Sequence, residues 1–191
     1  MKFAHRTVKA YRPISQCLLA VAIFTALGVS LTAQQPSATP SGPDVQREAM
    51  HKLAFLAGHW SGPISVSRGP GEPVKLTQTE EIQYKLDGLV LLIEGTGRDS
   101  EGKSSFNALA TVSFDDATHN YRFRAYNGGR YIDTELMVAT NGFSWSYDAG
   151  PAHIVNAMHL TGKGEWAETT EVTVGSNPPH RGVDMLLQHQ P

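Results

Sequence analysis

From Trp60 to the carboxyl terminus, turn signals cut the chain into short runs of alternating polarity, and no connection between runs is long enough to hold a crossover helix. Parallel pairing needs a crossover of about a dozen residues or more, so neighbouring runs must pair antiparallel. The runs are Trp60 to Ser67, Val74 to Lys85, Leu89 to Gly97, Ser104 to Phe114, Tyr121 to Tyr126, Tyr131 to Val138, Phe143 to Tyr147, His153 to Leu160, Glu165 to Val174 and Gly182 to Gln188. Between them stand segments such as Arg68-Gly69-Pro70-Gly71, Asn127-Gly128-Gly129 and Thr140-Asn141-Gly142, the last a hairpin signal because Asn-Gly tolerates positive φ. The expectation is an all-β fold: one antiparallel meander of about ten strands, closed into a barrel because closure removes exposed edges.

Alternation divides the faces of individual strands. Phe106, Ala108, Ala110, Val112 and Phe114 share one face of their run, and Phe143, Trp145 and Tyr147 alternate with Ser144 and Ser146. In the run after Asn120, one face carries Arg122, Arg124 and Tyr126 and the other Tyr121, Phe123 and Ala125. Periodicity alone does not say which of these looks inward. Burying the arginines carries the ordinary cost of burying charge.

Ahead of the barrel, Met50, Leu53, Ala54, Leu56 and Ala57 recur at helical spacing, which predicts a short helix over about Val45 to Ala57, stopped at Gly58. The amino terminus reads as an export signal: Lys2, Arg6, Lys9 and Arg12 precede an apolar run from Leu18 to Leu31, with cleavage expected after Ala33. The run falls short of the roughly 20 apolar residues of a spanning helix, so no stable membrane anchor is expected after cleavage. Cys17 is the one cysteine and precedes the apolar run, where a lipid-attachment cysteine would follow it. The expected organisation is a signal peptide at 1–33, a Gln/Pro/Ser/Thr-rich linker at 34–44 and a barrel domain at 45–191, released to the periplasm or the outside of the cell without a thiol. A formal net charge of -2 gives no support to nucleic-acid binding.

Leu53-Ala54-Phe55-Leu56-Ala57-Gly58-His59-Trp60-Ser61-Gly62 holds a Gly-x-Trp-x-Gly signature between helix and first strand. This segment resembles the entry to calycin-type barrels, the group of lipocalins, fatty-acid-binding proteins and nitrobindin-like haem barrels. Together with Leu86-Asp87-Gly88-Leu89-Val90-Leu91, Phe114-Asp115-Asp116-Ala117-Thr118 ahead of Tyr121, and Gly-x-Trp-x-Glu from Gly164 to Glu168, it makes the chain similar to the bacterial domain-of-unknown-function family 1579 over about Met50 to Leu187. The resemblance implies a barrel lumen that takes a small apolar or amphiphilic molecule. It implies that Trp60 closes one end against a cation, with Arg124 or Arg181 as partner. It also implies that arginines and tyrosines can face the lumen, as in fatty-acid-binding relatives.

The candidate ligand-binding residues are therefore Trp60, Glu94, Arg122, Arg124, Tyr126, Glu135 and Trp145. The leading reading is a non-enzymatic binder without a cofactor. A haem-binding alternative would use His180, which with His189 flanks the last run, although no histidine lies inside Gly182 to Gln188. An enzyme alternative rests on a luminal carboxylate among Glu94, Asp133, Glu135, Glu168 and Glu171. A third alternative is an envelope interaction module with a filled core. No metal site is expected: His153 and His159 share a face but stand about 20 Å apart at strand rise. Motifs for serine hydrolases, zinc proteases and phosphate loops are absent.

Overall fold

The computed structural model describes residues 42–67, 69 and 71–191; the expected signal peptide, its Cys17 and most of the expected linker lie outside them. Helix α1 spans Gly42–His51 and is followed by a 3₁₀ turn at Ala54–Leu56. Ten strands follow: β1 Gly58–Val66, β2 Val74–Lys85, β3 Val90–Arg98, β4 Ser104–Asp115, β5 Asn120–Asn127, β6 Arg130–Ala139, β7 Gly142–Ala149, β8 Ala152–Leu160, β9 Trp166–Val174 and β10 His180–Gln190. Each pairs antiparallel with the next, and β10 returns to β1 with Trp60 opposite His189, so the meander closes.

Two expectations change. The helix starts earlier and ends earlier than the apolar spacing suggested, because Pro43 occupies its first turn, where the missing N–H costs nothing. At the other end the chain tightens into bonds from Lys52 N–H to Ala49 O and from Leu53 N–H to Met50 O. That tightening drops Met50, Leu53 and Leu56, all essentially inaccessible, into the barrel end. The last strand is also longer than its apolar stretch, so His180 and His189 lie within β10 rather than beside it.

One end of the barrel, formed by the starts of odd-numbered strands and the ends of even-numbered ones, is plugged by this helical segment. Tyr84 Oη–H donates to Met50 O at 2.6 Å, Tyr121 Oη–H to Ala49 O at 2.7 Å, and Trp60 Nε1–H to Leu56 O at 2.8 Å. The two tyrosine bonds are second bonds to carbonyls that already accept from Lys52 and Leu53 N–H, and they tie the helical segment to β2 and β5.

The entry signature follows from close packing at the same end. A side chain at Gly58, whose φ is +123°, would collide with the His189 ring, and a Cβ at Gly62 would lie 2.1 Å from Leu186 O on the neighbouring strand. Between them Trp60 is buried and meets Trp166 and His189 edge-on, with ring centroids 5.8 and 4.9 Å away. The cationic partner expected for Trp60 is thus replaced by aromatic edges. Arg124 lies over the Tyr131 ring instead, and Arg181 pairs with Asp184.

Register decides the faces of β5. Phe123 pairs with Val112 and Ala125 with Ala110, placing Tyr121, Phe123 and Ala125 on the inner face. The Arg122 and Arg124 side chains, 43% and 50% exposed, stand outside and both bind Asp133. The fatty-acid-binding analogy, which would turn them inward, does not hold for this chain. Closing the wall around Phe123 keeps aromatic area out of water without burying two charges.

Candidate luminal binding site

Small residues on one side of the barrel leave room that large ones on the other do not fill. Gly95 on β3, Ala108 and Ala110 on β4 and Ala125 on β5 face Phe143, Trp145 and Tyr147 of β7. The result is a cavity of about 510 Å³, within the range of small-molecule sites. Phe123 and Trp166 line its inner part, and Phe106, Asn127, Arg130 and Asp148 lie toward the unplugged end. Trp145 is held between Phe123, 4.7 Å away by ring centroid, and Tyr147, stacked at 5.5 Å.

Two carboxyl groups project into this apolar space. Glu80 of β2 stands opposite Gly95, and a Cβ at that glycine would lie 2.7 Å from both of its oxygens. The carboxyl therefore lies flat across β3 in a slot that only glycine leaves open. Gln78 Nε2–H donates to Glu80 Oε1 at 2.7 Å, and the Gln78 side chain crosses Gly97 in the same way. Glu168 of β9 accepts a 2.9 Å bond at Oε2 from Trp166 Nε1–H.

Burial pushes both carboxyls up to about 7. For Glu80 the Gln78 hydrogen bond pulls the other way, and the charge of Glu168 adds to the rise. Each keeps some accessible surface, as expected for groups that line an open cavity.

The sequence-derived candidates are distributed differently from this pair. Trp60 lies beneath the cavity in the floor, and Trp145 forms its wall. Tyr126 reaches the rim while remaining 43% exposed. Glu94 and Glu135 point outward, Glu135 accepting from Asn120 Nδ2–H at 3.0 Å. Arg122 and Arg124 are outside with Asp133. His180 is exposed at the start of β10, and among the described residues no histidine lines the cavity, so those residues do not fit a histidine-ligated haem. Of the carboxylates weighed from sequence, Glu168 alone faces the cavity; Glu80 was missed. The signal for Glu80 was available: Leu76, Gln78, Glu80, Ile82 and Tyr84 share one parity, so a carboxylate sits on the apolar face of β2.

No family model matches the chain, and no curated protein matches it. The resemblance to family 1579 therefore remains a likeness of motifs. Among solved structures the chain is similar to the crystal structure of Rv2717c from M. tuberculosis. The TM-score is 0.58 at 11% identity, covering 75% of this chain and 98% of that one. At that identity the likeness is one of fold.

Proposed function

We propose that the protein, exported to the periplasm or beyond, binds a small, largely apolar ligand in its lumen. The observation that supports this reading is the cavity itself, lined by Phe106, Phe123, Phe143 and Trp145 across from Gly95 and Ala108. Apolar contact there supplies most of the affinity, and a few fixed polar groups orient the ligand. Rigid aromatic walls lose little side-chain freedom on binding.

Native mass spectrometry of the protein purified from its exported fraction tests the reading. A retained small-molecule adduct that is lost when Ala108 is replaced by Phe supports it. An adduct-free protein that also takes up no naphthyl probe overturns it.

The paired carboxyls favour a second reading, an enzyme that uses a luminal acid or base, because groups near pKa 7 are suited to proton transfer at neutral pH. Under that reading the adduct is chemically altered on incubation, and Glu168→Gln stops the change without stopping binding.

A further inference from the structure

The inner surface of the cavity has a surplus of hydrogen-bond acceptors. Glu80 Oε2 and Glu168 Oε1 make no hydrogen bond among the described residues. Gln78, only 2% exposed, gives its N–H to Glu80 and leaves its own Oε1 without a partner beside that carboxyl. The other unpartnered buried polar atom among the described residues is the donor Asn156 Nδ2, and neither Gln78 nor Asn156 is part of the lining. Two of these acceptors, the carboxyl oxygens of Glu80 and Glu168, face the cavity, and the third is buried behind Glu80.

Charge points the same way. Among the described residues, the lining contains the acids Glu80, Glu168 and Asp148 against the single cation Arg130, which is exposed at the mouth. Arg122 and Arg124, which would have welcomed an acidic amphiphile, are outside and bound to Asp133. An anionic head group entering this cavity would approach two carboxyls with no cation beside them.

We propose that the ligand is an organic cation, an ammonium group carried on a small apolar or aromatic body, with the ammonium seated between Glu80 and Glu168. This rests on the luminal-binding reading and sharpens it. An ammonium has donors and no acceptor, so it satisfies Glu80 Oε2 and Glu168 Oε1 together. The faces of Phe123, Phe143 and Trp145 attract the same charge and accommodate its apolar substituent. Glu80 cannot swing away from the position, because Gln78 and the glycine slot at Gly95 fix it, and Glu168 is fixed by the Trp166 indole.

Binding is coupled to protons. With both carboxyls near 7, the empty pair holds about one proton at neutral pH. An ammonium favours the doubly ionised pair and displaces that proton, so affinity rises with pH. The other titratable groups facing this region are Tyr147, Asp148 and Arg130 on the lining, Tyr84 and Tyr121 against the plug, and His189 against Trp60. Replacing His189 with Gln separates its contribution from that of the two carboxyls.

The test is calorimetric titration of the exported protein with three probes of one shape: 1-naphthylmethylamine, 1-naphthalenemethanol and 1-naphthoic acid. The amine is expected to bind at least tenfold more tightly than the alcohol, and the acid most weakly. Paired titrations in buffers of different ionisation enthalpy should show net proton release for the amine alone, unchanged in His189→Gln. Glu80→Gln combined with Glu168→Gln should bring the amine to the affinity of the alcohol. Equal binding of amine and alcohol, tighter binding of the acid, or no proton release overturns the cation assignment while leaving luminal binding intact. Failure of all three probes to bind overturns luminal binding and the cation assignment together. Proton release is read on the unmodified protein, so the outcome does not depend on the variants folding.

Discussion

The Trp166 indole N–H donates to Glu168 Oε2 at 2.9 Å, two residues along the same face of β9, which ties a buried ring of the barrel floor to a carboxyl of the cavity. One hydrogen bond does not offset the loss of solvation, and the carboxyl is pushed up to about 7. Glu80 is raised to about the same value. In the unfolded chain both return to 4.5, so between these values the folded state binds more protons than the unfolded one. Their contribution to stability is therefore present at low pH and is lost as pH rises from about 4.5 through 7. Thermal melts should give a lower Tm at pH 8 than at pH 6. Glu80→Gln and Glu168→Gln should each raise Tm at pH 8 by about 2–4 °C and flatten this dependence. A lower Tm for both variants at pH 8 would show that the carboxylates are stabilised where they stand.

Ala108 borders the cavity on the side where small residues make the space. A larger side chain there enters an existing void, so it avoids most of the roughly 1–3 kcal/mol cost of overpacking a filled core. Ala108→Leu is expected to weaken naphthyl-probe binding at least tenfold while keeping Tm within a few degrees of the parent. Unchanged binding would place the ligand elsewhere.

The plug is expected to be integral to the fold rather than a lid. Met50 is fully buried, and its carbonyl accepts from Tyr84, whose hydroxyl is pushed up to about 12 by burial. Met50→Ala should cost about 2–5 kcal/mol through lost burial and the cavity left behind. Tyr84→Phe should cost about 0.5–1.5 kcal/mol, because Met50 O loses the hydroxyl donor and keeps only the Leu53 N–H. Urea unfolding measures both. Values near zero would mean that the helical segment detaches before the barrel melts.

The strands were legible because their signal is local. Runs such as Val74 to Lys85 are bounded by turn residues on both sides, and the observed β2 has those same bounds. What was not legible was orientation. Both faces of β5 carry aromatic rings, Tyr121 and Phe123 against Tyr126, so hydrophobicity alone does not rank them. The choice is made by contacts distant in sequence: Tyr121 with Ala49 O, and Phe123 with Val112 and Trp145. The cavity has the same origin, since Gly95 and Ala108 read as weak strand residues until β7 is set opposite them. Glu80 and Glu168 come together through closure of β10 onto β1, and no spacing along the chain records that.

The outward placement of Arg122 and Arg124 makes a negative prediction that separates this barrel from one built for fatty acids. Both guanidinium groups bind Asp133, whose carboxyl they hold below the usual carboxylate range, chiefly through the Arg124 hydrogen bond. Whatever stability this cluster adds is present above the ordinary aspartate range and is lost as pH falls through the lowered value, on the acid side of the Glu80 and Glu168 effect. The arginine side chains are close to half exposed, so water and salt screen the attraction. Replacing both arginines with Ala should leave luminal probe affinity within about twofold. The accompanying change in Tm should be small and should shrink further in high salt. A large loss of affinity for an acidic probe in this double variant would instead mean that anions are drawn to the outer face of β5 and β6.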